Sequence, residues 1–308
     1  MKRHYLRDTA GFAALSGASR LIPLLPRSAV QRLSRWLAAL IYKRRHKLRR
    51  RALANIDVAF GQTISSARKA AIARESFETM VSTGLDFLWF AAGPPGRIRR
   101  YVKFHPSFAQ VIVSSGPLIA VTGHIGNWEL LGLAATAYGR SLWSIAAPLS
   151  APAIDSFLNR LRARNGMNIV PAKGAARVVE AALRRGETVA VLADQNTMPR
   201  QGGVFVDFFG LPAPMSRLPA VLAARTGARI VPVWCASGGE FYTAHALPDL
   251  DLPATGLDTA AITQRVAGAL QQIIMQMPGQ WLWAYSRWRY IPKGAAAARY
   301  PFYAQPCK

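Results

Sequence analysis

The sequence predicts an α/β fold with a central mixed, mostly parallel sheet flanked by helices, preceded by an N-terminal basic amphipathic helical segment. Short apolar runs alternate with helix-length segments from about residue 96 onward, a pattern typical of parallel strands joined by crossover helices. The chain has 308 residues, 51% of them hydrophobic, which is enough to bury a large core. Positive charge is concentrated at the N-terminus, and this distinguishes the composition of the first 51 residues from that of the rest of the chain.

The first 51 residues contain 14 Lys and Arg against one acid, Asp8, and therefore carry +13 of the net +24. The apolar stretches between these charges are shorter than the roughly 18–20 residues that a membrane-crossing helix needs. A cleaved signal peptide is the weaker alternative, because a basic segment downstream of the apolar stretch opposes export. So much charge in so apolar a chain indicates a polyanionic partner.

Residues 27–42 have helical periodicity, and the basic run 43–51 follows directly. An apolar face followed by dense cationic charge is typical of a helix lying on an anionic membrane surface. The same pattern fits a helix packed on the core followed by a solvated basic helix. A nucleic-acid-binding arm is less favoured, because no zinc-finger spacing or RNP-like aromatic pattern accompanies the charge. One stripe of the helix would hold Val30, Leu33, Trp36, Leu37, Leu40 and Ile41.

Residues 52 to about 92 are predicted to be helical, and Gly93-Pro94-Pro95-Gly96 ends that region. Strands and helices then alternate. The predicted strands are Leu118–Thr122, Leu142–Ala147, Asn168–Val170, Thr188–Ala193 and Ile230–Cys235, with Phe241–Ala246 beside the last. The predicted helices are Leu130–Tyr138, Ala153–Arg164, Ala175–Arg185 and Ala260–Met277.

The two cysteines, Cys235 and Cys307, exclude a disulfide scaffold and a CxxC metal knuckle. The sequence also lacks the Gly-x-Ser-x-Gly motif of serine hydrolases and the HExxH motif of zinc proteases. A serine- or metal-dependent lipid hydrolase is therefore disfavoured.

The most informative segment is Gly123-His124-Ile125-Gly126-Asn127-Trp128-Glu129, which follows the first buried strand. Active sites of such sheets gather where strands end and helices begin. Asn127 can cap the helix, and Glu129 in its first turn lies close enough to hold one imidazole nitrogen of His124 protonated, leaving the other as a general base. In the alternative interpretation His124 is a loop residue and Glu129 complements the helix dipole.

This segment resembles the signature block of the bacterial lipid A biosynthesis acyltransferases, the late lauroyl/myristoyl transferase family. Four further blocks resemble that family in the same order, at residues 158–166, 186–196, 203–213 and 281–288. One departure is Tyr285, which stands where many relatives carry His. We assign it no catalytic role.

The resemblance implies transfer of an acyl chain from an acyl-carrier-protein thioester to a hydroxyl of a lipid A precursor, with no metal or other cofactor. His124 would be the base and Glu129 its orienting partner. Substrate-binding candidates are Arg162, Arg164, Asp194, Gln195 and Asn127, and the candidate lining of the acyl channel is Phe205, Phe208 and Phe209. Each has a structural alternative: a solvated helix face for the arginines, a turn for Asp194 and Gln195, and plain core for the phenylalanines.

The expected partners are acyl carrier protein, a glycolipid acceptor and an anionic membrane surface, with no nucleic acid. The expected location is the cytoplasmic face of the cell inner membrane, peripheral or shallowly inserted. Residues 1–45 are interpreted as the membrane-associating segment and residues 46–308 as the acyltransferase domain. The alternatives are an acyltransferase for another glycolipid, such as a mannoside, and a non-catalytic protein that binds anionic membranes or nucleic acid.

Overall fold

A computed structural model describes residues 2–94, 96–252 and 258–307; for residues 2–10 it describes the backbone alone. The N-terminal part is helical. Its helices are α1 (Lys2–Leu21), α2 (Arg27–Arg44), α3 (His46–Phe60), α4 (Ser66–Ala91) and α5 (Gly96–Tyr101).

An α/β region follows, as predicted. Its strands are β1 (Val102–Phe104), β2 (Leu118–Thr122), β3 (Leu142–Ala146), β4 (Met167–Pro171), β5 (Thr188–Leu192), β6 (Gly203–Phe208), β7 (Leu211–Ser216), β8 (Arg229–Gly238), β9 (Phe241–Ala246), β10 (Tyr290–Ile291) and β11 (Gln305–Pro306). Its helices are α6 (Pro106–Val113), α7 (Trp128–Ala137), α8 (Pro152–Arg164), α9 (Ala175–Arg184), α10 (Leu218–Thr226) and α11 (Thr259–Gln276).

Seven strands form the central sheet in the order β1-β9-β8-β2-β5-β3-β4. Every neighbouring pair is parallel except β8 with β9, which form an antiparallel hairpin. The prediction of a mixed, mostly parallel sheet is confirmed, as is the placing of Phe241–Ala246 beside the strand that precedes it. β6 and β7 form a separate antiparallel hairpin that the sequence did not predict.

Each face of the sheet is covered by its own group of helices, because successive residues of a strand point to opposite faces. On β2, Ile119 and Val121 pack in one core cluster with α9, α10 and α11. Leu118 and Ala120, on the other face, pack with α7 and with residues of α4, α6 and α8. This second face carries the candidate site.

Helix α2 packs on α4 along a face that coincides only in part with the predicted stripe. The side chains buried in that contact include Val30, Ser34 and Ala38, spaced four residues apart, whereas Trp36 is 61% exposed. Because the buried positions recur every four residues, Trp36 falls between them and lies outside the contact. In the described part of the chain, no helix is both long enough and apolar enough to span a bilayer.

The start of α2 is held by a buried ion pair. Arg27 donates to Asp86 of α4, and Tyr242 of β9 donates its hydroxyl to the same carboxylate. The Arg27 and Asp86 side chains are 5% and 1% exposed. The Arg27 guanidinium also lies over the rings of Trp89 and Phe90, 5.4 and 5.7 Å from their centroids. Residue 27 is therefore part of the folded core.

Candidate active site

The candidate site forms where the neighbouring parallel strands β2 and β5 end. Thr122 and Leu192 are paired across the two strands, so the residues two positions further on, His124 and Asp194, emerge side by side at the same edge of the sheet. The sharp turn after β2 requires Gly126, whose φ is +58° and whose Cβ, if present, would lie 2.0 Å from the carbonyl oxygen of Cys235.

The carboxylate of Asp194 holds the imidazole of His124. Its Oδ1 lies 2.9 Å from His124 Nδ1, and its Oδ2 accepts from the backbone N–H of His124 at 2.8 Å. Oδ2 also accepts from the indole N–H of Trp281 at 2.9 Å. Asp194 is 3% exposed and Trp281 is 1% exposed, so the carboxylate and its donors are fixed in a nearly dry environment.

The pKa values of the pair shift in opposite directions. Burial lowers the pKa of His124, but the charge and hydrogen bond of Asp194, helped by the charge of Glu129, raise it to a net value above the ordinary 6.5. Burial raises the pKa of Asp194, but the charge of His124 and the hydrogen bonds from His124 and Trp281 bring it below its ordinary value of 3.8. The carboxylate is therefore ionised and favours a proton on the imidazole.

With Nδ1–H directed at Asp194, the lone pair of His124 Nε2 faces the other way. Gln195 Nε2 lies 3.3 Å from that nitrogen and is placed to donate to it. The ring of Trp128 stands edge-on to the imidazole, with centroids 4.8 Å apart. The His124 side chain is 17% exposed and lines the cavity described below, and Nε2 is the ring nitrogen that Asp194 does not engage.

Glu129 binds Arg162 rather than His124, and this corrects the predicted orienting pair. Arg162 Nε donates to Glu129 Oε2 at 3.0 Å and Nη2 donates to Oε1 at 2.6 Å, while Nη1 donates to Asn159 Oδ1 at 2.6 Å. Glu129 acts on His124 through its charge alone. Because its guanidinium is already engaged, Arg162 links α7 to α8 and does not present an open fork to an acceptor phosphate.

A largely apolar cavity of about 510 Å³ opens beside His124 and runs over the sheet face that carries Ala120. Its walls are strand residues that share this face and the helices α6, α7 and α8 above them. Apolar side chains supply most of the lining, including Phe108, Val111, Ile112, Leu118, Ala120, Leu131, Ala135, Leu142, Ile145, Leu158, Met167, Ile169, Ala190, Leu192 and Val233.

Small residues keep the middle of the cavity open. Ala120 and Ala190 pair across β2 and β5, and Gly132 of α7 lies above them, where a Cβ would come within 2.8 Å of the Met167 methyl group. At the far end, Arg140 donates to Thr188 Oγ1 at 2.6 Å, near the amino ends of the strands. The cavity therefore extends along the strands from the imidazole to the opposite edge of the sheet.

The three phenylalanines predicted to line the acyl channel lie outside this cavity, which corrects that prediction, and Phe208 and Phe209 pack in the core. Phe208 is fully buried, and its ring lies 5.7 Å from that of Trp281 and 6.0 Å from that of Trp288. Phe209 packs on the same tryptophans. Phe205 belongs to the β6–β7 hairpin. None of the three lines the cavity, because the hairpin packs in the core cluster on the opposite face of the sheet.

The remaining predicted substrate ligands are divided by the fold. Gln195 lines the cavity, whereas Arg164 is exposed and outside its lining. Asn127 is 1% exposed and caps α7, its Oδ1 accepting from Leu130 N–H at 2.9 Å. Asp194 is also outside the lining and faces His124. Of the predicted set, the structure brings together His124, Glu129, Arg162 and Gln195 at the cavity.

Sequence reasoning missed two features of the site. It placed Asp194 at a strand end but did not pair it with His124, because the order of strands in the sheet was unknown. It also assigned no role to Trp281. A signal was present in the sequence, because the indole N–H of a buried Trp needs an acceptor, and that acceptor is Asp194. Among the described residues, no group of three or more His, Cys, Asp or Glu side chains is placed to hold a metal ion.

The family model for bacterial lipid A biosynthesis acyltransferases matches residues 2–290. The chain belongs to this family. The family membership expected from the five sequence blocks is thereby confirmed.

Two curated relatives of this family member are phosphatidylinositol mannoside acyltransferases. The protein of Mycobacterium tuberculosis is 30% identical over 184 residues, which are 58% of this chain and 57% of that protein. The protein of Mycolicibacterium smegmatis is 28% identical over 169 residues, 54% of each chain. The matched region thus spans little more than half the length of these relatives.

A solved structure with a similar chain path is the 1-acyl-sn-glycerophosphate acyltransferase of Thermotoga maritima. It is 15% identical, with a TM-score of 0.40 over 83% of this chain and 99% of that one.

Proposed function

We propose that this protein transfers a fatty acyl chain from an acyl-carrier-protein thioester to a hydroxyl of a membrane glycolipid, with His124 as the general base and Asp194 orienting it. The observation that carries the proposal is the position of His124. Its Nδ1 is fixed by a buried carboxylate, while its Nε2 faces the head of a long apolar cavity. Glu129 supports the site through Arg162.

The reaction follows from these positions. His124 Nε2 accepts the hydroxyl proton as the alcohol oxygen forms a bond to the thioester carbonyl carbon. The carbon–sulfur bond then breaks, and the leaving thiolate takes the proton back from Nε2, so that His124 and the charge balance are restored. Asp194 stabilises the imidazolium that forms between these steps. A base held in this way typically contributes a factor of about 10²–10⁴ to the rate.

The cavity suits the acyl chain because its lining is mostly apolar and its axis follows the strands. Its volume lies within the roughly 300–1,000 Å³ usual for ligand pockets. With the thioester carbonyl at His124, the chain would pass between Ala120, Ala190 and Gly132 and end near Arg140. The apolar chain is thereby removed from water, which supplies the binding energy that positions the carbonyl.

The acceptor and the location rest on charge and on the relatives. The net charge of +24 favours an acidic carrier protein and an anionic surface, and residues 1–45 are the proposed membrane-associating segment at the cytoplasmic face of the inner membrane. A lipid A precursor is the acceptor that the family name favours. A mannosylated glycolipid is the second candidate, because the curated relatives are named phosphatidylinositol mannoside acyltransferases.

The test is acyl transfer by the purified full-length protein, using acyl-carrier-protein and acyl-coenzyme A thioesters with both classes of glycolipid. Mass spectrometry of the lipid product identifies the acceptor and the donor. We expect the native protein to be active and His124→Ala to lose transfer while still binding anionic vesicles. His105→Ala, which changes a histidine outside the cavity lining, serves as the matched control. Equal activity of the His124→Ala variant and the native protein would overturn the proposal.

A further inference from the structure

A second charged group is buried behind the site. Arg287 is fully buried, and its guanidinium lies 4.8 Å from the centroid of the Phe208 ring. Nη1 donates to Asn196 Oδ1 at 2.9 Å and to the carbonyl oxygen of Pro214 at 2.6 Å. Asn196 belongs to the turn that carries Asp194, so Arg287 contacts the segment that orients the catalytic imidazole.

This arginine has no carboxylate partner at ion-pair distance among the described residues. Nε and Nη2 donate to no acceptor there. A buried, unpaired guanidinium is costly, and burial lowers the pKa of Arg287 to about 10. The group that most opposes this lowering of the pKa is the Asp194 carboxylate, ahead of the phenol groups of Tyr285 and Tyr303. Arg287 therefore interacts electrostatically with the same carboxylate that holds His124.

We propose that Arg287 is a positioning residue for the reaction, whose buried positive charge limits how strongly Asp194 favours protonation of His124 and so preserves the neutral form that can accept a proton. Its kinetic consequence rests on the function proposed above. The site then contains two balanced sets of charge: Arg162 neutralises Glu129 by direct contact, and Arg287 partly neutralises Asp194 from behind. Without the second balance, the two carboxylates would together favour a permanently protonated imidazole.

The groups that face His124 account for this balance. Asp194 and Gln195 approach from the turn after β5, Trp128 and Glu129 from α7, Arg162 from α8 and Trp281 from the segment after α11. Tyr285 lies behind Asp194, donates its hydroxyl hydrogen to no carboxylate among the described groups, and accepts from Asn196 N–H at 3.0 Å. Removing Arg287 therefore takes one cation away from the surroundings of His124, while the carboxylates of Asp194 and Glu129 remain.

The experiment is a titration of His124 by NMR in the full-length protein, with histidine ring labelling and the His124→Ala spectrum for assignment. We expect Arg287→Met to raise the His124 pKa by about one pH unit, the size typical of a unit charge acting across a buried site at an effective dielectric constant of about 20. We expect Arg287→Lys, which retains the charge, to leave the pKa within about 0.3 unit. The acid limb of kcat/KM should move with the pKa.

Arg97→Met is the matched control. Arg97 also stacks on an aromatic ring, 4.0 Å from the centroid of Trp89, and donates to two backbone carbonyl groups, but it does not face Asp194. An unchanged His124 pKa in folded Arg287→Met would overturn the proposal. If that variant does not fold, Arg287→Gln decides in the same titration, because it also removes the charge but retains an N–H donor for Asn196, and an unchanged His124 pKa in it would equally overturn the proposal. The titration needs no turnover, so failure of the proposed function is detected separately.

Discussion

Replacing Asp194 by Asn tests the orienting carboxylate directly. In the native site this carboxylate accepts three N–H groups at 2.8–2.9 Å. The amide has no charge, and it can present its NH₂ to Nδ1. The imidazole proton would then move to Nε2, the nitrogen that must accept the proton of the substrate hydroxyl. The variant should therefore bind substrate normally but lack a free base in the correct tautomer.

The size of the effect follows from the interactions that the substitution removes. A hydrogen bond to a charged group contributes about 1.5–3 kcal/mol, and the imidazolium loses a facing charge of similar value. Together these give about 3–6 kcal/mol of lost transition-state stabilisation, or a fall in kcat of about 10²–10⁴ with little change in KM.

The assay is initial-rate acyl transfer over a range of acceptor concentrations, with folding checked by circular dichroism. Glu129→Gln is the informative comparison, because Glu129 contacts Arg162 and not the imidazole. We expect a smaller loss, about tenfold or less, from that variant. The reasoning is refuted if folded Asp194→Asn retains native kcat, or if Glu129→Gln is the more damaging of the two.

Three further outcomes are expected. Because the pKa of His124 is raised above 6.5, kcat/KM should fall as the pH drops through a midpoint above that value; a midpoint below it in a pH–rate profile would contradict the assignment. Ala190→Leu should block the cavity two strand residues before its far end at Thr188 and shorten the preferred acyl chain by about five carbons in a donor panel. Two strand residues span about 6.6 Å, and an extended acyl chain advances about 1.2 Å per bond. Val191→Leu, on the opposite sheet face, should leave the preferred chain length unchanged. The same preference in both variants would contradict the placing of the acyl chain in this cavity. Asp86→Asn should destabilise the fold by about 3–5 kcal/mol in denaturant unfolding, because it leaves Arg27 buried without a charged partner; native stability would contradict that estimate.

Local sequence patterns predicted the fold well where burial on both strand faces gave a continuous apolar run. Leu118–Thr122 is predicted and observed with the same bounds, and the turn that follows it carries His124 as expected. The same reasoning placed Asp194 at the end of a strand. These features depend on neighbours within the sequence, which periodicity and turn residues report.

Side-chain partners depended on information that no local pattern contains. Glu129 is close to His124 in sequence, but α7 directs it toward Arg162, 33 residues away. Asp194 is 70 residues from His124, and only the adjacency of β2 and β5 brings the two together. Phe208 illustrates the same limit, because an aromatic run looks alike whether it lines a cavity or fills a core.

The Arg27–Asp86–Tyr242 cluster has a consequence for shortening the protein. Cutting the chain after residue 45 would take away Arg27 and leave the Asp86 carboxylate, 1% exposed in the intact fold, without its cation. Val30, Ser34 and Ala38 would also leave the surface of α4 that they cover. The amino-terminal helices are therefore part of the folded domain, and a form without residues 1–45 should be less stable than the intact protein.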